Sequence, residues 1–264
     1  MDQGGGAGGV PGEAPELAAA LDELKRRGSA LLVVGSVPAD VYRRVSVRML
    51  GDGDAAPRRR LLVTNATDDE RDSRLEAVER RTPEWTRIVQ FAAASRGSAA
   101  ASAGPTSTVS PMEPGVASDS DADADSDSGS DADADTGGDP IAHRVDGGVV
   151  ELGAEVTKTV EQFDAIAGGL APAELRVAFD CLPTLVAEYD LETGFRFAHI
   201  FANHVRIVDG MAHFWLPRER DDEAVRVLEP LFDATVELCL DGTQLRQRWH
   251  FRDSNLSSDW LVLE

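Results

Sequence analysis

The chemistry this chain could carry turns on a short loop and on one acid far along the sequence. Ala30-Leu31-Leu32-Val33-Val34-Gly35 is an apolar run that opens into Ser36-Val37-Pro38-Ala39-Asp40 and then into a helix-like segment. A strand, a loop and a helix in that order form the frame of a phosphate-binding loop. In such a loop backbone amides cradle the phosphates, a Lys reaches the outer ones, and a Ser or Thr holds magnesium. Here the frame is kept, but the inner glycines, the Lys and the hydroxyl residue are absent. The two lysines, Lys25 and Lys158, both lie elsewhere. Asp40 brings negative charge toward the cradle and Pro38 removes an amide donor. Gly35 and Ser36 are what remains of a nucleotide crevice at this end, and Asp180, at the close of a later apolar strand, is its third candidate.

Other reactive residue types give weaker patterns. His199 and His204 are five apart, so they do not share a helix face as a zinc pair would. These two, with His143, His213 and His250, are read as packing or surface histidines, and no metal site is expected. Cys181 sits just past a strand end, where a thiol is buried and inert. With Cys239 it makes two cysteines, too few for a disulfide framework or a Cys-rich zinc site. No Gly-x-Ser-x-Gly nucleophile elbow occurs. Trp215, Trp249 and Trp260 fall in late strands and read as core or interface.

The elements that would position these residues follow from apolar spacing. Residues 1–15 read as a disordered leader. Leu17, Leu21 and Leu24 then mark a helix that Gly28 ends. Ala30–Gly35 is continuously apolar, as a buried parallel strand is. Val41, Val45 and Met49 form the stripe of the next helix, with Pro38 in its first turn. Leu61–Val63 is a second strand leading to Thr64-Asn65-Ala66-Thr67; Asp68–Arg81 is a charged helix; Trp85–Phe91 is a third strand. Arg58-Arg59-Arg60 before the second strand reads as a solvated lead-in rather than a phosphate grip.

After an interruption the alternation resumes. Helices are predicted over Glu155–Gly168, Leu191–Val208 and Asp221–Glu229. Strands are predicted over Leu175–Asp180, Met211–Leu216, Ala234–Leu240, Leu245–Phe251 and Trp260–Leu263. Asp241-Gly242 signals a hairpin. The expected fold is α/β: a mainly parallel sheet flanked by helices, with antiparallel C-terminal strands. Its first part is residues 16–91 and its second 141–264.

Residues 92–140 are the interruption, an acidic linker read as disordered and inserted within one domain. They hold ten acids against Arg96, a contribution of −9 to the total charge of −21, which leaves −12 for the remainder. Apolar content is too low to offset chain ordering. An EF-hand loop started at Asp121 would place Ser126 at its sixth position and Ala132 at its twelfth, where Gly and Glu are needed. A solvated acidic linker is the reading.

Of 26 basic residues, 24 are Arg. Carboxylate-rich surfaces with little Lys suit a salty cytoplasm and point to a halophilic archaeon. A GC-rich genome would produce the same Arg, Ala, Gly and Asp bias. The acidity argues against nucleic-acid binding, which neutralises phosphates with basic surface. No run of ~20 apolar residues exists to span a membrane. The first fifteen residues lack the features of a secretory signal, so a cytoplasmic location is expected.

Two stretches carry a resemblance. Leu175-Arg176-Val177-Ala178-Phe179-Asp180-Cys181-Leu182-Pro183-Thr184 is similar to the strand of RecA-like P-loop ATPases that ends in the Walker B acid. Asp180 stands at the acid position, and Cys181 replaces the usual Ser. Leu231-Phe232-Asp233-Ala234-Thr235-Val236-Glu237-Leu238, followed by an Arg-bearing hairpin, is similar to the late strands of the KaiC-like branch. The resemblance covers most of residues 16–91 and 150–264. It implies a RecA-like fold, with ATP and magnesium as the family's ligands and rings or filaments as its assemblies. Thr64-Asn65-Ala66-Thr67 stands where KaiC-like proteins lead to catalytic Glu residues.

With that Glu, the Lys and the magnesium-holding hydroxyl all missing, phosphoryl transfer lacks its charge neutralisation. The expectation is therefore a degenerate, haloarchaeal, transducer-like (HTR-like) member, not an enzyme and with no catalytic residues. It would have no required cofactor and a regulatory or signalling role through an unidentified protein partner. The alternatives are an ATP-binding protein or ATPase with a non-standard phosphate loop, and a homo-oligomeric scaffold.

Overall fold

The computed structural model describes residues 13–51, 57–67, 81–92, 140–254 and 256–263. The charged helix expected over Asp68–Arg81 and the acidic linker expected over 92–140 fall almost wholly outside the described residues. The element order is α1 (Glu13–Arg26), β1 (Ser29–Val34), α2 (Ala39–Leu50), β2 (Arg59–Thr64), β3 (Thr86–Phe91), β4 (Ala142–Val145), α3 (Val149–Ala167), β5 (Leu175–Phe179), α4 (Leu182–Glu188), α5 (Leu191–Ile207), β6 (Met211–Leu216), α6 (Glu223–Leu228), β7 (Ala234–Asp241), β8 (Gln244–Phe251) and β9 (Leu261–Val262).

The nine strands of the described residues form one sheet in the order β4-β3-β2-β5-β6-β1-β7-β8-β9. From β4 through β7 every pairing is parallel; β8 and β9 are antiparallel. The sheet is the expected α/β architecture, mainly parallel with an antiparallel C-terminal edge. β1 is central, with Leu32 beside Phe214 of β6 on one side and Thr235 of β7 on the other. All six of its residues are buried, because helices cover both faces and leave no polar side for alternation.

Alternate residues of β1 feed two cores. Ala30, Leu32 and Val34 join Leu61, Val177, Phe179 and Phe214 under α3, α5 and α6. Leu31 and Val33 point to the other face, with Val41, Tyr42, Val45, Trp215, Val236 and Trp249 under α1 and α2. Within the first core Phe179, Phe197, Phe201 and Phe214 pack with ring centroids 5.0–6.0 Å apart. Of the predicted α2 stripe Val41 and Val45 are buried and Met49 is half-buried, and α5 likewise buries Ala198, Ala202 and Val205 with Phe195 half-buried.

Several local expectations need correction. Glu13, Ala14 and Pro15, assigned to the leader, belong to α1, where a Pro in the first turn forfeits no intrahelical bond. α3 begins at Val149, six residues before the predicted start. The Glu151 carboxylate folds back onto the Gly148 amide at 2.8 Å and closes its first turn. A further helix, α4, which the apolar spacing did not predict, starts directly after Cys181, with Pro183 in its first turn. β4 was not predicted; it is a short edge strand whose His143 and Arg144 are exposed.

Arg59 and Arg60 are not solvated but buried. Arg59 pairs with Glu174 at 2.9 Å, lies over the Trp85 ring and donates to the Glu84 carbonyl. Arg60 donates to the Gly51 carbonyl at 2.6 Å.

Gly242 turns β7 into β8 with φ 63°, as the Asp-Gly pair predicts. At the other end of this hairpin Asp233 is a buried tie point. Its carboxylate accepts from the Ala30 amide at 2.8 Å and from Arg206 Nε at 2.9 Å, and Arg27 and Arg252 stand 3.7 and 3.6 Å away. One carboxylate thus joins the start of β1, the end of α5 and the β7–β8 unit.

Candidate functional site

In a parallel sheet the loops that leave the C-terminal ends of the strands gather at one mouth, where ligands of open α/β folds bind. Here that mouth holds the three predicted crevice residues. Gly35 and Ser36 follow β1, and Asp180 follows β5, with β6 lying between.

Gly35 has a packing reason to be glycine. Its φ is 118°, and a Cβ there would be driven into the carbonyl oxygen of Leu238 in β7. Its amide donates to the Arg218 carbonyl at 2.8 Å. Ser36 is exposed, while Val37 tucks into the core under α2.

The spacing of a phosphate loop, G-x-x-x-x-G-K-[ST], laid from Gly35, puts Asp40 at the second glycine, Val41 at the lysine and Tyr42 at the hydroxyl residue. Val41 is buried among apolar neighbours and offers a phosphate nothing. Tyr42 is the residue the sequence reading passed over. Its hydroxyl donates to Asp180 Oδ1 at 2.6 Å, a short charge-assisted bond. Its ring stacks on Trp215 with centroids 4.0 Å apart and planes 10° from parallel, and it meets His213 edge-on at 6.4 Å. Two aromatic neighbours and the helix backbone therefore hold the phenol against the acid.

The remaining residues of the mouth are tied to one another. Asn65, after β2, donates to the Thr184 hydroxyl at 2.6 Å, and the Asp180 amide donates to the Val63 carbonyl at 2.8 Å. Cys181 is fully buried, and burial next to the Asp180 carboxylate holds its thiol well above the ordinary range, so it is no nucleophile. His213 exchanges a 2.5 Å hydrogen bond with Ser46 inside the core. Among the described residues no three His, Cys, Asp or Glu side chains converge as a metal site would require.

The residues at the phosphate-loop positions do not fit a magnesium nucleotide. The cationic position is Val41, the hydroxyl position is a phenol already spent on the acid, and Asp40 has the wrong sign. Of the three candidates, the structure links Asp180 to the loop helix through Tyr42 and leaves Ser36 at the surface. A tyrosine seven residues beyond Gly35, read against the motif spacing, was the available signal for this pairing.

A second polar group lies on β7 and β8. His250 bonds Glu237 through Nε2 at 3.1 Å and Ser257 through Nδ1 at 3.0 Å. Burial holds its pKa below the usual histidine value; Arg220 and Arg248 push the same way, and Glu237 opposes them.

Among the described residues no helix is long and apolar enough to cross a membrane. No curated protein matches the chain. Solved structures do match, among them the crystal structure of a KaiC-like protein, PH0186, from the hyperthermophilic archaeon Pyrococcus horikoshii OT3. That match has 10% identity and a TM-score of 0.48, covering 90% of this chain and 86% of that one. Residues 28–238, from the turn before β1 into β7, match the profile of a family of unknown function, DUF7504. That span is well over half of the sequence, and the chain belongs to this family.

Proposed function

We propose that this chain is a catalytically degenerate RecA/KaiC-like domain that serves regulation or signal transduction through protein contacts and turns over no nucleotide. The observation that carries the reading is the Tyr42–Asp180 hydrogen bond at 2.6 Å, beside a buried Val41 where a lysine would be needed. A triphosphate carries charge that a Lys and a metal ordinarily offset. At this mouth the one retained acid is held by a neutral phenol, and the loop adds Asp40 instead of a cation. The acidic, Lys-poor composition supports a haloarchaeal setting, in which high salt screens the surface charge.

Support for contacts with protein comes from the helices on one face of the sheet. Ile200 and Ile207 lie two turns apart on α5, 67% and 80% exposed, and Val150 on α3 is 81% exposed. Exposed apolar residues of this size also suit a homo-oligomeric scaffold. Light scattering in molar KCl separates a monomer that binds another protein from a self-assembling one.

The enzymatic question is tested by ATP turnover in molar KCl with magnesium. The expected rate equals that of buffer, in wild type and in Asp180→Ala alike. Turnover that Asp180→Ala abolishes would refute the reading.

A further inference from the structure

At the opposite, N-terminal ends of the strands lies a cavity of about 380 Å³ between α1, α2 and the starts of β5 and β6. Its size falls within the range of small-molecule pockets. Leu24, Met49 and Trp249 are among its apolar walls, and Lys25, Arg48, Arg58 and Arg176 are its cations, of which Lys25 pairs with Asp22 at 3.2 Å.

Arg176 is buried, with 9% of its surface exposed. Its Nε donates to the Ala173 carbonyl at 3.0 Å, and its Nη1 points at the Met211 sulfur at 2.8 Å, a weak acceptor for a guanidinium. Among the described residues no carboxylate lies within ion-pair distance of Arg48, Arg58 or Arg176. Elsewhere the buried guanidinium of Arg59 meets Glu174, and Arg206 meets Asp233. Burial, with Arg58 and Arg60 nearby, lowers the Arg176 pKa to about 10, so it stays charged at neutral pH. A buried charge without a counter-ion is costly, and in a chain of net charge −21 carboxylates are the commonest side chains available to supply one.

We propose that this cavity is a binding site for a small amphiphilic anion, its carboxylate or phosphate head on Arg58 and Arg176 and its apolar body against Leu24, Met49 and Trp249. The site is independent of the Tyr42–Asp180 mouth, so failure of either reading leaves the other standing. Both heads share the chemistry that a guanidinium fork recognises, and the apolar wall requires a hydrocarbon body behind them.

The test is calorimetric titration of the full chain with decanoate, decyl phosphate, decanol and inorganic phosphate, each below its micellar concentration. One of the two decyl anions is expected to bind once per chain, roughly tenfold or more tighter than decanol or inorganic phosphate; which of them binds identifies the head group. Arg176→Met and Arg58→Gln should each weaken that binding by about tenfold or more. Arg58 is half-buried beside the cavity, so its variant stays informative if Arg176→Met fails to fold. Equal binding of decanol, equal binding of inorganic phosphate, no binding of either decyl anion, or unchanged affinity in Arg58→Gln would each overturn the proposal.

Discussion

Two buried or half-buried charges at opposite ends of this one sheet, Asp180 and Arg176, are met in opposite ways. At the C-terminal mouth the acid Asp180 is met by the Tyr42 hydroxyl, and the neighbouring side chains Asn65 and Thr184 bond each other. At the N-terminal end Arg176 faces a cavity with a thioether where a carboxylate is expected. Helix α2 spans the distance between them, with Tyr42 in its first turn and Met49 in its last. On the proposed reading, the fold's usual binding mouth is closed by its own side chains while a cavity at the other end holds arginines without a carboxylate partner. Motif inheritance and site chemistry are then separate questions.

That comparison can be broken first at two buried positions, Gly35 at the C-terminal end of β1 and Asp233 at its N-terminal end, where the expected effects on stability are largest. Gly35→Ala forces a Cβ into the Leu238 carbonyl at a φ of 118°, and chemical denaturation should register a loss of about 4 kcal/mol. A loss under about 1 kcal/mol would show that the β1–β7 approach is looser than described. Asp233→Ala strips Arg206 and the Ala30 amide of a buried acceptor, with an expected cost of about 3 kcal/mol. If Arg206→Ala alone costs as much as the double variant, the pair acts as a unit, as expected; additive losses would contradict this.

Tyr42→Phe keeps the ring on Trp215 and removes the hydroxyl that bonds Asp180. About 1.5 kcal/mol should be lost, with no gain of nucleotide turnover. Appearance of turnover in this variant would mean that the phenol merely masks a working site.

The smallest effect concerns His250, which faces Glu237, Ser257, Arg220 and Arg248. Its folded pKa is depressed, so its contribution is fully present above the ordinary histidine value. That contribution is lost as pH falls toward the folded pKa, because the unfolded chain binds the proton more readily. Melting temperature should therefore drop modestly between neutral pH and about pH 5.5. His250→Gln should flatten that slope; an unchanged slope would assign the pH response to other groups.

How much of this was legible in the sequence differs between elements. β1 was readable because a strand buried on both faces is continuously apolar, β5 and β6 because one polar residue each, Arg176 and His213, interrupts an otherwise apolar run, and α2 and α5 because their stripes keep helical period. β4 was not, since Ala142-His143-Arg144-Val145 is an edge strand with two exposed polar residues. α4 hid behind Cys181-Leu182-Pro183, where a proline that suits a first helical turn looks like a turn signal.

The burial of Arg59 and Arg60 could not be read locally, because Glu174 lies 115 residues away and pairs with Arg59 only through the β2–β5 register. The same distance problem hid the site's main feature. Gly35 and Asp180 are visible as motif remnants, but the Tyr42 hydroxyl finds Asp180 across 138 residues. Only the parallel stacking of β5, β6 and β1 brings them together. The unmatched arginines of the lower cavity come likewise from three separate segments, the end of α2, the lead-in to β2 and the start of β5.

The most direct measurement on the closed mouth is calorimetric titration of magnesium-ATP into the wild-type protein at high salt, paired with Asp180→Asn. The account predicts no saturable heat in either protein, because Tyr42 bonds the acid and Val41 stands at the lysine position. Saturable, magnesium-dependent binding to wild type that vanishes in Asp180→Asn would contradict it.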